Sequence, residues 1–98
     1  MNRTQSLLGE RARCEGERWA NEMMTRLRGE SRRAAGGWPG TVSEARARVE
    51  LHLLPGLGRE GSLALSRADR EDAAQRVYRS ARELWARMRD PEAEEEQP

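Results

Sequence analysis

The sequence predicts an all-α fold: a small three-helix domain followed by a disordered acidic C-terminal tail. Three observations carry that prediction. Apolar residues recur at helical spacing in three stretches, two of those stretches open on capping residues, and Gly/Pro clusters separate them. The helices are expected at about residues 6–35, 42–54 and 67–89, within one domain of residues 1–89. Residues 90–98 form the tail.

In the first stretch Leu8, Ala12, Trp19, Ala20, Met23, Met24 and Leu27 share a face. Arg11–Glu15 and the ladder Arg18–Glu22–Arg26–Glu30, spaced i,i+4, are assigned to the opposite side, where such pairs add a few tenths of a kcal/mol each. Gly9, Gly16 and Gly29 should weaken this helix by up to ~1 kcal/mol apiece. Gly36-Gly37-Trp38-Pro39-Gly40 breaks it.

Thr41-Val42-Ser43-Glu44 then has the form of a capping box, with Thr41 as N-cap and Glu44 as its reciprocal partner. Val42, Ala45, Val49 and Leu53 line one face of the second helix, while Ala47, Leu51 and Leu54 fall nearly opposite. A helix apolar on two sides is either sandwiched or placed at an interface. Val49–Leu53 also alternates at period two, a strand pattern, but the cap favours helix. Pro55-Gly56 ends the element. Residues 55–65 are expected to be a Gly-rich loop with Leu57, Leu63 and Leu65 packed beneath it.

Ser66 opens the third helix, with Asp69 three positions on and Glu71 and Asp72 in its first turns. Ala74, Val77, Tyr78, Ala81, Leu84, Trp85 and Met88 form its apolar stripe. Arg87 and Arg89 suit the negative end of the helix dipole, and Pro91 blocks continuation. Helices one and three are expected to meet through Trp19, Met23 and Leu27 against Val77, Leu84 and Trp85.

Composition bounds the function. The chain has 98 residues, one Cys and one His, so neither a disulfide framework nor a Cys/His zinc site fits within it. No apolar run approaches membrane-spanning length, and Met1–Gln5 lack the apolar core of a secretory signal, which points to the cytoplasm. All 18 basic residues are Arg, and Lys, Ile and Phe are absent. Those absences share AT-rich codons, so GC-rich coding explains the arginines more simply than selection for phosphate chemistry.

Leu and Val supply only 13 of 98 residues, with no Ile or Phe. A compact chain of this size exposes roughly 5,700 Å² against roughly 16,000 Å² unfolded. Burying the difference with so few large side chains predicts a marginal monomer, or one completed by self-association or a partner. The net charge of +1 conceals a segregation: residues 1–89 hold 18 Arg and 12 acids, whereas residues 90–98 hold five acids and no base.

Motifs that could carry chemistry do not survive their context. Gly56-Leu57-Gly58-Arg59-Glu60-Gly61 is a literal G-x-G-x-x-G, but a phosphate loop needs a strand before it and a second parallel strand after its helix. Cys14 lies on the polar side of helix one among Arg11, Arg13 and Arg18 and also Glu10, Glu15 and Glu17, with no base assigned to it. His52 flanks the Val49/Leu53 face and reads as a hydrogen-bonded, partly buried side chain. Trp19 and Trp85 belong to stripes. Trp38 has none, and either plugs the helix ends or serves as an exposed anchor.

These features predict a non-catalytic helical interaction module, self-associating, acting as a regulator or adaptor. Trp38, Val49, Leu51, Leu53 and Leu54 are its candidate interface, and no cofactor, metal or small-molecule substrate is implied. The partner is a second copy or another protein, not a membrane. The alternative is a nucleic-acid-associated regulator in which Arg28, Arg32, Arg33, Arg76, Arg79 and Arg82 contact phosphates and the acidic tail tempers affinity. Against it stand the long connection between helices two and three, which a helix-turn-helix does not tolerate, and the acids interleaved with the arginines.

Overall fold

The computed structural model describes residues 3–27 and 37–89, and the side chains within 7–27 and 37–88. The domain is all-α, with no strand among the described residues. Helix α1 spans Arg3–Arg26. Helix α2 spans Val42–Arg48 and continues as a π-helical turn, Val49–Leu53. A 3-10 turn at Pro55–Leu57 and a short helix α3, Gly58–Leu63, lead to helix α4, Arg67–Arg89. The predicted helical stretch 28–35 and the predicted tail 90–98 lie outside the described residues.

Local chemistry places each start. The Thr41 hydroxyl accepts from the Glu44 amide at 3.1 Å, and the Glu44 carboxylate accepts from the Thr41 amide at 3.0 Å. Ser66 and Asp69 build the same reciprocal pair before α4, both bonds at 3.1 Å. Each box satisfies amides that the first helical turn leaves without an intrahelical acceptor.

The three long elements run up, down and up. Gly9 lies against Arg76, and the Ser80 hydroxyl donates to the Arg13 carbonyl at 2.7 Å, so α1 and α4 are parallel. Arg48 meets Glu22 and Glu15, His52 meets Glu15, and Gly56 lies against Arg11, so α2 and its continuation run the other way. At the crossing of α1 and α4, a Cβ on Gly16 would sit 2.6 Å from the Ser80 Cβ and 2.9 Å from the Ala81 amide nitrogen. Gly16 is therefore not a weak point of the helix but the place where two backbones approach.

The core is continuous. Leu8, Ala12, Trp19 and Ala20 of α1 pack with Ala45, Val49, Leu53 and Leu54 of the middle element and Ala73, Ala74, Val77 and Ala81 of α4. Small residues, rather than many large ones, fill much of this core and let the helices approach closely. Trp38 closes one end. Its ring meets Trp19 edge-on at 4.8 Å and Trp85 at 5.5 Å, so it plugs the helices rather than standing free as an anchor. Its indole N–H is buried without an acceptor.

Two expectations need correction. The segment 55–65 is not a plain loop: Pro55 starts a 3-10 turn, Gly58 at φ 76° redirects the chain, and α3 follows. Of the leucines expected beneath it, Leu65 is buried and Leu57 half-buried, but Leu63 is 73 % exposed. The second correction concerns the two-faced helix. The Leu54 amide donates to the Val49 carbonyl, an i→i+5 bond at 3.0 Å. That wider turn brings position 54 under position 49, so Leu54 joins Val49 and Leu53 in the core instead of facing away from them.

Candidate functional site

The densest polar construction among the described residues lies where α1 meets the π-turn. Glu15 is only 5 % exposed. Its Oε1 accepts from the Arg48 guanidinium at 2.8 Å and lies 2.7 Å from the His52 Nδ1. The other arm of Arg48 pairs with Glu22, and the guanidinium carbon stands 5.0 Å above the Trp19 ring. Arg18 completes the group from the solvent side, 3.5 Å from Glu22. A buried carboxylate is tolerated only with such partners, and the aromatic face adds to the attraction for the cation.

A second set of pairs holds the opposite flank of α2. Arg46 donates twice to Glu71, at 2.9 and 2.8 Å. Arg70 stands 3.6 Å from Glu50 and donates to the Ser62 carbonyl at 3.1 Å. The outward side of α2 is thereby braced on both edges. It displays Ala47 and Leu51, the latter 70 % exposed.

The ion pairs set an acid response. The Glu71 carboxyl is lowered from 4.5 to about 2, first by the hydrogen bond from Arg46 and then by that from Gln75. Glu22 is lowered as well, mainly by the hydrogen bond from Arg48. Both groups bind protons less readily in the folded chain, so their stabilisation is complete above the ordinary carboxylate value of 4.5 and is lost as pH falls below it, for Glu71 through about 2. The melting temperature followed by circular dichroism should be level from pH 7 to 5 and decline steadily below. Arg46→Gln should flatten part of that decline, and equal melting temperatures at pH 5 and 2 would contradict the assignment.

The candidate interface residues separate. Val49, Leu53 and Leu54 are core, Trp38 is the plug, and Leu51 alone stands on the surface. Of the candidate phosphate contacts, Arg76, Arg79 and Arg82 are exposed on α4 and make no ion pair with any described residue. Arg82 lies 5.8 Å from the Tyr78 ring centre. Arg28, Arg32 and Arg33 lie outside the described residues. Cys14 is exposed, 3.8 Å from an Arg13 nitrogen.

Glu15, Arg48 and Glu22 were not marked as a site by sequence reasoning, and Glu15 was assigned to the wrong side of α1. The signal was present in the spacing. Glu15 falls seven residues after Leu8 and four before Trp19, so it shares their line on the helix. The i,i+4 pairing with Arg11 drew it outward on paper. In the fold Arg11 lies beside Gly56, and Arg48 takes the acid.

Among the described residues no group of three or more His, Cys, Asp and Glu side chains is arranged to hold a metal ion. Nor is any helix among them long and apolar enough to cross a membrane. Compared with protein-family models, with curated proteins and with solved structures, the chain matches none.

Proposed function

We propose that the chain is a small non-catalytic helical interaction module that self-associates through the outward side of α2 and acts as a regulator or adaptor. The observation that carries this is Leu51: 70 % exposed, on a turn whose neighbouring Val49, Leu53 and Leu54 are all buried. A leucine held on a braced turn loses little further freedom on binding, so its burial is converted efficiently into affinity. A second copy is the occupant. The net charge of +1 gives two copies little mutual repulsion. Leu51 is also flanked by charges of both signs, Glu50 and Arg70 on one edge and Glu22 and Arg18 on the other, which can pair across a two-fold axis.

Sedimentation equilibrium of the full chain tests this. The wild type should associate, and Leu51→Glu should raise the dissociation constant at least about tenfold with unchanged helix content, as expected for charging an apolar contact. A wild type that stays monomeric across the concentration range overturns it.

A second function is favoured by Arg76, Arg79 and Arg82, which are exposed and make no ion pair with any described residue: contact with a nucleic-acid backbone. Fluorescence anisotropy of a labelled duplex at two salt concentrations tests it. Backbone contact predicts binding that falls steeply with salt and is lost in the triple Arg→Glu variant. No binding at low salt overturns it.

A further inference from the structure

A groove runs along the edge of α2 away from α1, between the π-turn, α3 and the start of α4. It consists of two adjoining clefts of about 350 and 360 Å³ that share Glu50 and Arg70 as walls. Its floor includes Val49, Leu54 and Leu65, all buried. Arg46, Arg59, Arg67 and Arg70 line it against only Glu50 and Glu71, so its charge is positive. Arg46 and Arg70 are engaged, whereas Arg59 and Arg67 are exposed and make no ion pair with any described residue.

The chain carries its own complement to this groove. Asp90, Glu92, Glu94, Glu95 and Glu96 follow α4 with no base among them. Reach decides which groove they can enter. The farthest of these acids lies seven residues beyond Arg89, at most about 24 Å away even if fully extended. Arg67 stands at the other end of the 23-residue α4, about 33 Å from Arg89 along the helix axis. Within one copy, even if extended back along α4, the backbone of this segment ends short of Arg67.

We propose that the groove lined by Arg59, Arg67 and Arg70 receives the acidic segment 90–96 of a second copy of the chain. This rests on the self-association proposed above and adds a second, electrostatic contact to it. Reciprocal exchange of the segment closes a dimer, and one-way exchange builds a chain of copies. Pairs of this kind are exposed, so they weaken as salt rises.

Complementation between two full-length variants tests it. The groove variant is Arg59→Glu/Arg67→Glu, chosen because neither arginine makes an ion pair with any described residue. The segment variant is Glu94→Gln/Glu95→Gln/Glu96→Gln. Each alone should dissociate at least about tenfold more readily than the wild type, as loss of several exposed pairs implies. An equimolar mixture, with one variant fluorescently labelled, should form mixed species more tightly than either variant alone, since the mixture retains one intact groove and one intact segment.

Association of either variant at wild-type strength overturns the proposal, as does a mixture no tighter than its components. Contact of the segment with its own α4 would give that second result. If Leu51→Glu dissociates the chain while both charge variants do not, the groove contact fails and the Leu51 contact stands. If the wild type is itself monomeric, both fail.

Discussion

Replacing Gly16 by alanine should lower the stability of the domain by about 2–3 kcal/mol, and its melting temperature by roughly 10 °C or more. On helix propensity alone the change should stabilise α1 by up to ~1 kcal/mol. The added methyl group, however, would lie 2.9 Å from the Ala81 amide nitrogen and 2.6 Å from the Ser80 Cβ. The first of these is backbone, which cannot rotate away, so α1 and α4 must separate. Separation would loosen the packing of Ala12, Val77 and Ala81, three side chains buried almost completely, and stretch the Ser80–Arg13 hydrogen bond. Gly9 supplies the control. The nearest atoms to a Cβ there belong to the flexible Arg76 guanidinium, the closest at 3.6 Å. Gly9→Ala should therefore stabilise by about 0.5–1 kcal/mol. Thermal melts of the two variants check the pair, and equal shifts would show that Gly16 is not a point of close approach.

The second large effect belongs to the Glu15–Arg48 pair. Arg48→Met should cost about 3 kcal/mol, because it leaves a 5 %-exposed carboxylate with only His52 and the solvent-exposed Arg18, 4.0 Å away, beside it. Glu15→Leu alone should cost less, about 1–2 kcal/mol, since Arg48 keeps Glu22 and the Trp19 face. In the double variant no buried charge is left without its partner. Its loss should be smaller than the sum of the single losses by at least about 1 kcal/mol, the signature of two groups that act as one. Urea denaturation of the four proteins completes the cycle. Additive losses would mean that Arg48 and Glu15 are stable independently of each other.

Much of the fold is legible in the sequence because its signals are local. Thr41 with Glu44 and Ser66 with Asp69 mark the starts of α2 and α4, and the stripe from Ala74 to Trp85 gives the buried face of α4. What was not legible depends on contacts between elements. Gly16 has the same local propensity as Gly9, and only the backbone of α4 distinguishes them. The π-turn has no propensity signature, yet its extra residue moves Leu54 from the supposed outer face into the core and leaves Leu51 outside. Glu15 was misplaced because a local partner, Arg11, offered itself in sequence, whereas Arg48, 33 residues away, supplies the bond. Pattern reading alone does not assemble the polar cluster, although the heptad step from Leu8 to Glu15 places the acid on the buried line.

The most direct test of the account is a series of backbone amide NMR spectra of the full chain over a hundredfold dilution. Association through the outward side of α2 predicts that Ala47, Leu51 and the flanking Glu50 and His52 shift with concentration, while the buried Ala12, Val77 and Ala81 do not. A spectrum that does not change with concentration, or changes confined to the Arg76–Arg82 face of α4, would contradict it.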